Sequence, residues 1–69
     1  LMRGQMLKAL QSHAKANIEL HKAHIEIYLR NPVGVGEHSD VLDAVQAELD
    51  KLTAHSDRLD TLQHYFHND

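Results

Sequence analysis

Two rows of mostly apolar residues run along the chain at steps that alternate between three and four residues. The first row extends from Leu7 to Tyr28, and the second extends from Leu42 to Phe66. This spacing keeps one side of an α-helix turned toward a partner helix. The first row comprises Leu7, Gln11, Ala14, Ile18, His21, Ile25 and Tyr28, and the second comprises Leu42, Val45, Leu49, Leu52, Ser56, Leu59, Gln63 and Phe66. The pattern predicts an all-α protein with two long, coiled-coil-like helices.

The two rows are separated by the only segment that is rich in proline and glycine, residues 31–36. Proline disfavours helical geometry in the residue before it, so the first helix should end near Asn31. Ser39 is a favourable first cap for the second helix, and Asp40 suits the positive end of its dipole. We therefore predict one domain over 1–69, with a helix over about 5–30, a loop over 31–39 and a helix over about 40–66.

The two rows come into register when the chain folds back at this loop. Facing residue numbers in an antiparallel hairpin add to a constant, which is 70 if Asn31 lies opposite Ser39. The predicted hairpin core is Leu7, Ala14, Ile18, His21, Ile25, Tyr28, Leu42, Val45, Leu49, Leu52, Ser56, Leu59 and Phe66.

A second apolar row on the first helix is left uncovered by this pairing. Large exposed apolar patches usually mark an interface, and two hairpins that pack through such a patch make a four-helix bundle. The predicted interface is Met6, Leu10, His13, Asn17, Leu20, His24, Ile27, Val41, His55 and Leu62. On the opposite edge, Lys8, Lys15 and Lys22 form a solvated row. We predict a homo-oligomer, with a dimer favoured and an unknown second protein as a further possible partner.

Length and charge agree with this interpretation. A chain of 69 residues buries only about 60% of its unfolded surface, so a lone hairpin has little core. Residues 1–36 carry five basic and two acidic side chains, whereas residues 37–69 carry two basic and eight acidic ones, so the two helices attract each other. There is no dense basic patch with aromatic residues, which argues against a nucleic-acid partner. The chain contains no cysteine and no long apolar run, which predicts a cytoplasmic protein without a membrane partner.

Seven histidines are the unusual feature of the composition. The pairs His21/His24 and His64/His67 have the i, i+3 spacing that can chelate a metal from one helix face, and Asp60 lies on the same face as the second pair. The register places these pairs far apart and predicts no cluster of three ligands within one chain. The favoured interpretation is therefore surface or interface histidines without a metal or other cofactor.

Two alternatives remain open for the histidines. One is a transition-metal site made of histidines from two chains, with His21, His24, Asp60, His64 and His67 as candidates. The other is pH-responsive association, because interface histidines would change charge at about pH 6.

Catalysis is not indicated by the sequence. Ser12, Ser39 and Ser56 have no surrounding motif, and a two-helix hairpin offers no enclosed pocket. Gly34 and Gly36 lack the Lys-Ser/Thr of a phosphate-binding loop, so this segment is read as a connector or a partner-binding tip. We predict that the protein is not an enzyme.

The loop sequence Asn-Pro-Val-Gly-Val-Gly-Glu-His-Ser-Asp, residues 31–40, is followed by Val-Leu-Asp-Ala-Val-Gln-Ala-Glu-Leu, residues 41–49. Together they resemble small uncharacterised helical proteins of marine phages and marine metagenomes. The resemblance spans residues 17–66 and implies a phage-related origin, with the host cytoplasm as the location. It implies no activity and no functional residues.

Overall fold

The computed structural model describes residues 2–30 and 38–67. Over these ranges the protein consists of two α-helices, α1 (Arg3–Arg30) and α2 (His38–Tyr65), and contains no strand. Each helix has 28 residues, and the two pack side by side as a rod of 51 × 16 × 15 Å. The predicted all-α helical hairpin is confirmed. Most of the predicted loop lies outside the described residues, but His38 and Ser39 belong to α2, so Ser39 is not a cap that precedes the helix.

Local sequence explains why both helices are long. Leu, Ala, Lys, Gln and Glu dominate α1 and are strong helix formers. Pairs one turn apart add support, with Arg30 Nε donating to Glu26 at 3.0 Å and Lys22 Nζ donating to Glu19 at 3.4 Å. Arg30 in the last turn of α1 complements the negative end of the helix dipole.

The predicted register agrees with contacts along the length of the hairpin. Arg3 donates a hydrogen bond to the backbone carbonyl of His67, and these two numbers add to 70. His13 contacts His55, and His24 bonds to Glu48, so these numbers add to 68 and 72. Contacts spread along both helices therefore lie within two residues of the predicted constant.

The rotation of α2 differs from the prediction. Leu42, Leu49 and Phe66 are exposed rather than buried in the hairpin, whereas Val41 and Glu48 are half-buried. The physical reason is the ring of His21, which is buried and requires a hydrogen-bond partner. Glu48 provides a carboxylate, and Leu49 at the same level would provide none. Val45, Leu52 and Leu59 lie on the inner side in both arrangements and are half-buried.

The core of the hairpin is narrow. Ala14 is fully buried at 0% exposure, and His21 is the only other buried residue among those described. The remaining predicted core residues are half-buried: Leu7, Ile18, Ile25, Tyr28, Val45, Leu52, Ser56 and Leu59. The small side chain of Ala14 can be enclosed between the two helices, whereas the larger apolar side chains of a two-helix rod keep one side in solvent.

Candidate functional site

Glu48 on α2 joins two histidines of α1. Its Oε2 lies 2.5 Å from Nδ1 of His21, and its Oε1 lies 2.9 Å from Nδ1 of His24. A carboxylate only accepts hydrogen bonds, so Nδ1 carries the proton in both rings. The result is a bidentate polar link between the two helices. The Glu48 side chain is 13% exposed, so the link is largely shielded from solvent.

The helices position these three side chains in a simple way. His21 and His24 are three residues apart on α1, so both project from one face. Glu48 comes from α2 at the same level. The rings of His21 and His24 are 5.5 Å apart at an interplanar angle of 80°, which directs both Nδ1 atoms to the same carboxylate.

The electrostatics of the link favour an ionised carboxylate. The hydrogen bond from His21 is the largest influence and lowers the pKa of Glu48, and the bond from His24 lowers it further. Partial burial acts in the opposite direction but is outweighed. Glu48 therefore remains negatively charged to lower pH than an ordinary glutamate.

Two further histidines extend the cluster along the hairpin. His55 of α2 stacks on His21 with ring centroids 5.8 Å apart and an interplanar angle of 12°. His13 of α1 contacts His55 edge-on, also with ring centroids 5.8 Å apart. His13, His55, His21 and His24 thus form a continuous series of ring contacts, which we call the histidine row.

Arg58 fixes the state of His55. Its Nη1 lies 2.9 Å from Nδ1 of His55, and because a guanidinium only donates, Nδ1 accepts and the ring is neutral. Desolvation is the main cause that lowers the pKa of His55, followed by the charge of Arg58 and the proximity of His13 and His21. A neutral ring at this position avoids placing another positive charge next to Arg58.

An open cavity of about 280 Å³ adjoins the Glu48 link. It is lined by His24, Ile27, Tyr28 and Glu48, so it combines ionisable side chains with an aliphatic one and an aromatic one that carries a hydroxyl. A ligand can therefore reach Glu48 or His24 from this side of the hairpin.

Among the residues that the structure describes, His21, His24 and Glu48 form the group of three side chains whose potential ligand atoms lie close enough together to hold a metal ion. The sequence-based expectation that no three ligands meet within one chain is therefore wrong. The other metal candidates do not join this cluster: α2 ends at Tyr65, so His67 lies beyond the helix that carries Asp60 and His64. Arg3 lies beside His67, at the end of the hairpin away from Glu48.

The predicted interface residues lie along one side of the hairpin. The contacts of His24 with Glu48 and of His13 with His55 place the predicted interface residues of α1 next to those of α2. Exposed members are Met6, Leu10, His13, Leu20 and Ile27, and half-buried members are Asn17, His24, Val41, His55 and Leu62. Asn17 is held by its own helix, since its side-chain amide donates to the carbonyl of His13 at 2.9 Å.

The predicted constant of 70 brings Glu48 to within two residues of the position facing His24, but it pairs His21 with Leu49 and so missed the contact of Glu48 with His21. The signal was present in the numbering, because 21 and 48 add to 69 and lie within one residue of the predicted constant. A buried histidine with a carboxylate one residue away from its facing position was the feature that could have revealed the link.

Comparisons with protein-family models, with curated proteins and with solved structures find no match to this chain. Within the described part of the chain, neither helix has the apolar character that a membrane-spanning segment needs.

Proposed function

We propose that this chain is a self-associating helical module that acts in assembly or protein–protein interaction rather than in catalysis. Its basic unit is a homodimer in which two hairpins pack as a four-helix bundle. The observation that supports this most strongly is the narrow core: Ala14 is the one buried apolar residue among those described. Hydrophobic burial is the dominant favourable term in folding, so a rod of this kind gains stability by covering more apolar surface.

The surface area of the hairpin fits a partner of its own size. The chain exposes 5427 Å². A compact monomer of 7.9 kDa exposes about 4,400 Å² by the scaling of surface with mass. The excess of about 1,000 Å² is close to the ~800 Å² that each partner buries in a standard interface. A second copy therefore covers about the area by which this rod exceeds a compact protein.

The apolar row of α1 is the best candidate for the contact surface. Met6, Leu10, Leu20 and Ile27 recur on one face and are each about half exposed or more. Four such side chains spaced along most of α1 form a stripe rather than a local patch. Several turns of helix can therefore take part in packing against another helix.

Charge favours a second copy on this face. The apolar row of α1 contains no Lys, Arg, Asp or Glu, and the adjoining row of α2 contains one carboxylate, Glu48, which two histidines already contact. An isologous interface brings each patch against itself, so a patch without unpaired charge meets no like-charge repulsion. The other side of α1 carries Lys8, Lys15 and Lys22, which would repel one another in such a contact.

The proposal is tested by measuring mass and helical content over a dilution series. Sedimentation equilibrium should give about twice 7.9 kDa for the wild type. The double variant Leu20→Glu/Ile27→Glu places carboxylates in the proposed interface and should sediment as a monomer with reduced helicity. A fully helical wild-type monomer, or a dimer that survives this double variant, would contradict the proposal.

Leu42→Glu/Leu49→Glu is the matched control. Both leucines are exposed, at 65% and 45%, and each follows the inner row of α2 by one residue. They therefore project about 100° further round the helix and away from the proposed interface. The control should remain dimeric, and its dissociation would move the interface to the opposite side of the hairpin.

A further inference from the structure

We infer that His21, His24 and Glu48 of a single hairpin form a binding site for a divalent first-row transition-metal ion such as Zn²⁺. Two imidazole nitrogens and one carboxylate oxygen from these side chains lie within 4.8 Å of one another. Imidazole and carboxylate are the ligand types that Zn, Ni, Cu and Fe accept, and two histidines with one carboxylate are a recurrent ligand set. The inference does not depend on self-association, since all three ligands come from one chain.

The distances allow a metal to enter with small movements. Nδ1 of His21 and of His24 are 2.5 and 2.9 Å from the Glu48 oxygens. Ligand atoms around a tetrahedral Zn²⁺ with bonds of ~2.0–2.1 Å are about 3.4 Å apart. The two His–Glu pairs must therefore separate by less than about 1 Å, and the two imidazole nitrogens, which lie within 4.8 Å of each other, must reach the same spacing. Rotation of the His24 and Glu48 side chains can provide these movements. The His24 side chain is 41% exposed and has room to move.

Metal binding changes which ring nitrogen carries the proton. Each neutral imidazole carries one N–H, which lies on Nδ1 while it donates to Glu48. Coordination through Nδ1 leaves that proton on Nε2, so both rings change tautomer and no proton is released. The metal thus lies between the two rings and the Glu48 carboxylate, where the two Nδ1 protons lie in the metal-free protein.

The surroundings favour three protein ligands and an open position. The ring of His55 stacks on the ring of His21. The Nδ1 atom of His55 is already bonded to Arg58, so it is not counted among the ligands. In the single hairpin the cavity next to His24 and Glu48 gives a water molecule access to the metal; in the proposed dimer this side faces the second copy, because Ile27 also lines it. Three protein ligands with one open position is the arrangement of metal sites that exchange an outside ligand.

The affinity for Zn²⁺ alone is the first test, measured by calorimetry and by competition with a chromophoric chelator. The wild type should bind one metal ion per chain. Glu48→Gln keeps the size of the side chain but removes its charge, and it should weaken binding by more than about tenfold, as should His24→Gln. Both variants leave buried His21 unchanged, and circular dichroism verifies that each remains helical.

His64→Gln/His67→Gln is the matched control, since this pair has the same sequence spacing but lies at the other end of the hairpin. It should bind Zn²⁺ with wild-type affinity. Co²⁺ gives an independent measurement: its visible d–d bands should appear in the wild type and the control and be lost in Glu48→Gln. Binding that survives Glu48→Gln and His24→Gln, that is lost in the control, or that occurs once per two chains would overturn the single-chain site.

Discussion

Nδ1 of His21 donates a hydrogen bond to Glu48 across the hairpin at 2.5 Å, and this contact sets the rotation of α2 about its own axis. His21 is 8% exposed, so its ring has little access to water and depends on the carboxylate. A buried donor that loses its acceptor costs more than the hydrogen bond itself contributes. The pair is therefore a structural link as well as part of the candidate metal site.

We expect Glu48→Gln to lower the thermal midpoint of the metal-free protein. Glutamine keeps one acceptor oxygen, but it loses the charge and cannot accept from both histidines through two equivalent oxygens. Glu19→Gln is the control, because Glu19 forms only an exposed pair with Lys22 and should change stability by less than about 0.5 kcal/mol. Thermal unfolding followed by circular dichroism in the presence of a chelator measures both. Equal midpoints for the two variants would show that the link contributes little.

Acid should destabilise the metal-free hairpin in two separate ranges of pH. The pKa of His55 is lowered from its ordinary 6.5, so the unfolded chain binds the proton more readily, and stability falls as pH drops below about 6.5. The pKa of Glu48 is lowered from 4.5, so the stability that its carboxylate contributes is present above about pH 4.5 and is lost as pH falls through the lower folded-state value. Urea unfolding at a series of pH values measures both ranges. His55→Asn should reduce the slope in the upper range alone, and an unchanged slope there would contradict the assignment.

We expect Ala14→Leu to destabilise the hairpin by about 1–3 kcal/mol, because a larger side chain at a fully buried position forces the helices apart. Ala16→Leu is the control, since Ala16 is exposed on the same helix and should change stability by about 0.5 kcal/mol or less. Denaturant unfolding of both variants gives the difference. If the two substitutions had the same effect, the burial of Ala14 between the helices would not limit the size of its side chain.

The corrected rotation of α2 leads to a test with two leucines. Leu52→Ala should cost about 1–2 kcal/mol, since Leu52 is half-buried against α1. Leu49→Ala should cost about 0.5 kcal/mol or less, because Leu49 is exposed. The same unfolding experiment measures both. A larger loss at Leu49 than at Leu52 would restore the rotation expected from the sequence.

If the protein is a dimer, its thermal midpoint should rise with concentration, because association stabilises the folded state by mass action. The wild type and Leu42→Glu/Leu49→Glu should show this rise, whereas Leu20→Glu/Ile27→Glu should not. Calorimetric scans over a range of concentrations measure it. A wild-type midpoint that is independent of concentration would argue for a stable monomer.

The register was predictable, but the rotation of α2 was not. Loop position and heptad spacing lead to facing numbers near 70, and the Arg3–His67 contact agrees with this. One possible inner row of α2 passes through Leu42 and Leu49, and the other, one residue earlier, passes through Val41 and Glu48. Both rows carry aliphatic side chains, so apolar periodicity favours neither. The requirement of buried His21 for an acceptor distinguishes them, and it is a property of one tertiary contact rather than of the pattern. The metal-ligating cluster was missed for the same reason.

The bond between Arg3 and His67 brings both ends of the described chain to the same pole of a rod 51 Å long. Fluorescent labels placed near Met2 would lie about 30 Å from His24, which is far enough to leave its contact with Glu48 undisturbed. In a parallel dimer two such labels would meet at one pole, with efficient energy transfer between them. In an antiparallel dimer they would lie at opposite poles, with weak transfer. Because both ends of the described chain lie at one pole, a single labelling position makes the orientation of a dimer measurable.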